Sequence, residues 1–214
     1  MCYNKEISLI TEIIGTSLSL YLFLIGDKYD KNIALFSFTF IQIQLVEFFM
    51  WNNQNCNIIN KLATIFGHII LVLQPLSILI GAYIFNTTTI NKNIILFMII
   101  INLFILLQTI LYYLINNNKF ICSKSYNNKG LKWDINNLPF IGYIFYFFGM
   151  FAIWPFFKNK NKGIIVFLLV LFTLIKNVYD FKNNRIKETW QTHWCFESVF
   201  SLLIYLILIK FNLL

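Results

Sequence analysis

The sequence predicts an all-α fold, a polytopic bundle of seven transmembrane helices in a single domain over residues 1–214. Three observations carry this. The chain is 58% hydrophobic and 12% charged with a mean hydropathy of +0.68, outside the range of domains folded by water. A span needs about 20 apolar residues, and seven stretches reach or approach that length, near 7–26, 33–52, 62–85, 94–115, 138–157, 164–181 and 190–210. The few polar residues inside those stretches recur at three- and four-residue steps, the spacing of one helix face.

Seven crossings place the termini on opposite sides, here called A for the N-terminal side and B for the other. Short B-side loops at 27–32, 86–93 and 158–163 favour sequential antiparallel neighbours. Side A carries 53–61, 182–189 and the longest loop, 116–137. The first span holds Glu12, and the second holds Gln44, Glu47 and Trp51 on one face near side A. His68 sits one turn beyond Thr64 in the third span, ahead of Gln74-Pro75, where proline frees a carbonyl that protein or water must satisfy. Asn102 and Gln108 mark the fourth span, while the fifth, running through Tyr143 and Tyr146 to Trp154-Pro155, has no ionisable group. Thr173, Lys176, Asn177 and Asp180 form a stripe on the sixth, and His193, Glu197, Ser201 and Tyr205 follow at four-residue steps in the seventh.

Ionisable groups inside a bilayer are costly unless they face a bundle interior or water. Assigned by span direction, Glu12, Glu47, His68, Lys176, Asp180, His193 and Glu197 all fall in the half nearer side A. The B half offers little beyond Ser37, Thr39 and tyrosines. The expectation is a polar vestibule open to side A and floored by Gln74 and Asn102. Its candidate binding residues are Glu47, His68, Gln74, Asn102, Lys176, Asp180, His193 and Glu197.

Cys2, Cys56, Cys122 and Cys195 all lie at side A, where one or two disulfides among them would make that side exoplasmic or lumenal. The N-terminus is then exoplasmic and the C-terminus cytosolic; the Lys and Arg count of the loops is too even to decide orientation. The net charge of +8 lies mostly between apolar runs, as headgroup anchors do, and not as a nucleic-acid stripe. The expected partners are the lipid bilayer and a small polar solute or cation, and the bundle admits a homo-oligomer. With two histidines and no metal-ligand spacing, no metal, cofactor or catalytic set is expected.

The residues Glu47-Phe48-Phe49-Met50-Trp51, Cys56, Asn60-Lys61, Gln74-Pro75 and Trp194-Cys195 resemble those of an uncharacterised group of seven-helix membrane proteins encoded by large DNA viruses and some protists. That resemblance implies a seven-helix fold and brings no chemistry with it. Three function classes follow from the residues: a transporter or channel for a small polar solute or cation, a receptor-like or accessory protein that binds a ligand or lipid, and a membrane-embedded enzyme. Transport ranks first because polar groups continue to the midplane, where carriers hold substrate. The enzyme class has no supporting motif.

Overall fold

The computed structural model describes residues 4–115, 122–125, 130–133, 146, 148–182, 190–211 and 213, without the side chains of 180–182, 190–196 and 198. Its helices are α1 (Lys5–Ile25), α2 (Lys28–Asn52), α3 (Ile58–Phe85), α4 (Lys92–Ile115), α5 (Lys160–Lys182) and α6 (Trp190–Lys210). Residues 148–151 are also helical and lead into a 3-10 turn, Trp154–Phe156. At 1.5 Å per residue α2 and α3 run roughly 37 and 42 Å, more than the hydrocarbon core of about 30 Å.

Each helix start has a local cause. Asn4 accepts the Ile7 amide proton at 2.9 Å and Asn57 that of Asn60 at 3.0 Å, each satisfying a donor the first turn cannot. Asp27 and Asp30 make a reciprocal capping box at the start of α2. Asn86, at φ 52°, ends α3 in the left-handed conformation that asparagine tolerates.

α2 is the hub. It packs on α1 and α3 along most of its length and also touches α6, while α4 leans on α3, and α5 pairs with α6. Lipid gives helices no hydrophobic reason to associate, so close packing and hydrogen bonds must do it. Accordingly Gly15 lets Ile41 of α2 press against α1, where a Cβ would stand 2.7 Å from the Ile41 side chain. Buried Asn32 lies 2.9 Å from the Thr87 hydroxyl and ties the start of α2 to the end of α3.

The outer surface is more apolar than is usual for a domain in water. Ile95 is the buried residue of α4, and Ile94, Phe97, Ile100, Leu103, Phe104 and Leu107 all face outward. Among the described residues five helices, through Lys5–Ile25, Lys28–Asn52, Ile58–Phe85, Lys92–Ile115 and Lys160–Tyr179, are long and apolar enough to cross a membrane. This is a helical bundle whose apolar helices suit a membrane setting. The fifth expected span falls partly outside the described residues.

Two features depart from the sequence-based expectation. Within the supposed loop 116–137, Lys124–Ser125 (β1) pairs antiparallel with Leu131–Lys132 (β2), a strand pair too short to leave a period-two pattern. The B end is also far from bland, because Asp30, Asn32 and Lys162, placed in loops by hydropathy, are buried. α2 begins at Lys28 and α5 at Lys160, so these residues occupy first helical turns and point inward.

Candidate functional site

At the A end, the loop between α2 and α3 anchors a cap. A disulfide joins Cys56 to Cys122 across 66 residues, with Cα atoms 5.5 Å apart. Beside it, the Asn60 amide donates to the Ser123 carbonyl at 2.9 Å and accepts the Ser123 amide proton at 3.1 Å. The Thr64 and Ser123 hydroxyls lie 3.0 Å apart, and Ser125 donates its amide proton to Gln54 Oε1 at 2.6 Å. The β hairpin is thereby stitched over the start of α3, and Trp133, next to β2, drops onto that helix. Gly67 makes room for it, since a Cβ there would meet the indole ring at 2.7 Å.

Beneath the cap lies His68, one of the expected site residues, only 4% exposed. Its Nδ1 is hydrogen-bonded to the Tyr113 hydroxyl, the Tyr113 ring stacks on it at 5.4 Å, and Trp133 meets it edge-on at 6.2 Å. Gln44 and Glu47 of α2 are fully buried. Contacts between α2 and α3 bring Asn60 to Met50 and Gly81 to Asn32, a register that sets Glu47 near the level of Thr64 and His68 about one turn deeper, near Gln44. Deeper, Gln74 accepts the Tyr146 hydroxyl proton at 2.5 Å, while Gly149 sits against Pro75 so closely that a Cβ would come within 2.6 Å of it. Tyr146 and residues 148–151 therefore pack where proline interrupts α3 bonding.

The remaining expected site residues are distributed over other helix pairs. Asn102 is half-buried and donates its side-chain amide to the Met98 carbonyl of its own helix at 2.9 Å. Lys176 is ion-paired with Glu197, which also accepts from the Asn177 amide at 3.0 Å. The Lys176 side chain is 46% exposed, so this pair lies on the flank of α5 and α6. Glu12 is buried between α1 and α2, where it accepts from Thr16 at 2.8 Å and Gln42 at 3.1 Å. The side chains of Asp180, His193 and Cys195, and all of Cys2, lie outside the described residues.

The B end carries the constellation that hydropathy reading overlooked. Lys162 contacts both carboxylate oxygens of Asp30 at 2.7 Å and Asp27 at 3.1 Å, and the Tyr205 hydroxyl donates to Asp30 at 2.7 Å. This joins the beginnings of α2 and α5 to the end of α6. Burial opposes ionisation of Asp27, but the Asp30 amide, the Lys162 ammonium and the Tyr29 amide outweigh it, so its carboxyl lies below the ordinary range. The sequence signal was available: Asp27 and Asp30 at cap spacing, and a Tyr205 continuing the stripe of α6 toward side B.

Between the two ends part of the interior is apolar. A cavity of about 40 Å³ lies between α2, α5 and α6, lined by Ile33, Phe36, Phe40, Val166, Val170 and Tyr205 among others. Trp154, fully buried against Phe36 and Phe157 at 5.4 and 5.1 Å, closes the same end. Among the described residues no cluster of three metal-ligating side chains occurs. No protein-family model, curated protein or solved structure matches this chain.

Proposed function

We propose that the chain crosses the bilayer seven times and binds a small polar solute in the A-side half of its bundle. The observation that carries this reading is a pool of buried polar side chains in the A-side half of the α2–α3 pair, separate from the Asp30, Asn32 and Thr87 group at the B end. Gln44, Glu47, Asn60, Thr64, His68 and Gln74 are buried toward A, whereas Ile33 to Ile43 bury only apolar side chains beneath them. Polar groups inside a membrane domain cost free energy unless paired or used, and a pooled set at one end suits a binding pocket.

The apolar layer below that pool supports a receptor-like or accessory protein that holds its ligand, ahead of an open channel. A carrier is the second reading, and one observation favours it: the Asp30–Lys162–Tyr205 contact at the B end unites three helices through polar bonds that an inward-opening state would break. The Cys56–Cys122 disulfide supports an A end in an oxidising compartment, with the N-terminus outside and the C-terminus in the cytosol.

The test uses the purified full chain in proteoliposomes against a panel of labelled alkali cations, sugars, amino acids and carboxylates. Saturable equilibrium binding without gradient-driven flux supports the binding reading. Flux that Glu47→Gln abolishes moves the assignment to a carrier, and absence of saturable binding for every solute overturns both.

A further inference from the structure

We propose that the B end is a docking surface for anionic phospholipid headgroups, held by Lys28, Lys92, Lys158 and Lys160; this stands apart from the A-side binding reading. All four lysines are exposed, and each ammonium rests on a neutral group. Lys28 lies over the Tyr29 ring at 5.2 Å and Lys92 over the Tyr83 ring at 5.6 Å. Lys158 donates to Asn86 Oδ1 at 3.0 Å, and Lys160 donates to the Pro155 carbonyl at 2.9 Å. A ring face or a carbonyl orients an ammonium without cancelling its charge, and engages only part of its three N–H donors. The carboxylates of the B-end segments are Asp27 and Asp30, and the buried Lys162 engages them at 3.1 and 2.7 Å. The exposed charge of this end is therefore positive.

The four lysines share one sector. Tyr29 packs against Phe157 at 6.2 Å, Phe157 bridges to Thr88, and the Lys158 amide donates to the Thr87 carbonyl at 2.8 Å. The loop between α3 and α4 is thus pinned to the turn before α5, with Tyr83 and Asn86 beside it at the end of α3. Helix electrostatics gives these lysines no local reason to be there. α4 and α5 open on Lys92 and Lys160 and have no acidic residue in the first turn, where the positive end of the dipole favours anions. A phosphate outside the chain relieves that conflict, and lysine ammonium groups suit it. The phosphate belongs to a lipid because apolar side chains stand directly beneath: Ile84, Ile94 and Phe97 are all largely exposed. Acyl chains cover such a surface while the headgroup meets the ammonium groups. The cytosolic leaflet, where the proposed orientation puts the B end, is also the one that carries anionic lipid.

The test reconstitutes the full chain in phosphatidylcholine vesicles holding a trace of spin-labelled phosphatidic acid or spin-labelled phosphatidylcholine. Electron paramagnetic resonance reads the fraction of each label immobilised by the protein. The expected result is an association constant for phosphatidic acid roughly fivefold or more above that for phosphatidylcholine, collapsing in molar salt. Lys92→Gln with Lys158→Gln and Lys160→Gln removes most of that preference, and arginine at the same three positions retains it. Lys5→Gln with Lys61→Gln, at the A end, leaves it in place. Circular dichroism checks that each variant keeps its helices. Equal association of the two lipids with the unaltered chain overturns the proposal. So does a preference that survives the three B-end glutamines or is abolished by the A-end pair. Displacement of the labelled phosphatidic acid by soluble glycerol phosphate overturns the lipid assignment in favour of a free phosphate. The A-side binding reading survives each of these failures, because no A-side solute enters the measurement.

Discussion

Replacing Lys162 by methionine removes the ammonium that holds both Asp30 oxygens at 2.7 Å and leaves a buried carboxylate with only neutral partners. Breaking one side of a buried ion pair costs about 3–5 kcal/mol, so Lys162→Met should lower stability by that order in detergent unfolding. Adding Asp30→Asn should recover most of the loss, because the uncompensated charge then disappears. A double variant no more stable than the single one would show that shape, and not charge, makes the contact matter. Asp27 adds a pH dependence to the same contact. Its folded carboxyl lies below the ordinary range, so its contribution is present above the unfolded carboxylate range and is lost as pH falls through the folded value. Asp27→Asn should therefore flatten the acid limb of the stability curve, measured by unfolding across acidic pH. At this scale the sequence was partly informative. The stripes through Glu47 and His68 marked side chains that are indeed buried. Lys162 gave no such signal, because hydropathy treats a lysine between apolar runs as loop, and only a partner 132 residues away draws it inside.

Among the elements, the A-end cap depends on one covalent tie and one missing side chain. The disulfide closes a 66-residue segment containing α3 and α4, for which the chain-entropy model gives about 4 kcal/mol. Cys56→Ala should lower stability by that order and free the hairpin. The measurement is thermal unfolding together with protease cleavage near Lys124; an unchanged midpoint and an uncut hairpin would contradict it. Gly67→Ala acts more locally. A methyl 2.7 Å from the Trp133 ring must displace the indole, so Trp133 fluorescence should move to longer wavelength as the ring reaches water. If the spectrum stays fixed, the indole does not depend on that notch. The helices themselves were legible from long apolar runs bounded by Asn, Asp and Lys. The hairpin was not, since two residues per strand cannot show alternation and Trp133 depends on contacts made by α3.

For the molecule as a whole, composition and the outward Ile, Leu and Phe of α4 both point to a membrane setting. The polarity of its two ends was harder to read. Span direction assigned Glu47 and His68 to the A-side half, but it could not choose between Glu197 and Glu47 as the partner of Lys176 or place that pair on the bundle flank. Nor could it show that three helices would meet around Asp30. Pairings of this kind are set by rotation of helices about their axes, and α6 has polar residues recurring at four-residue steps while the neighbour that receives each is fixed only by packing.

The proposed arrangement rests on an odd number of crossings with the disulfide-tied end in an oxidising compartment. The direct measurement places one epitope tag at each terminus of the full chain in intact cells and compares antibody labelling before and after permeabilisation. The expected result is an N-terminal tag labelled on intact cells and a C-terminal tag labelled only once the membrane is opened. Both tags on one side, or the reverse orientation, would contradict it.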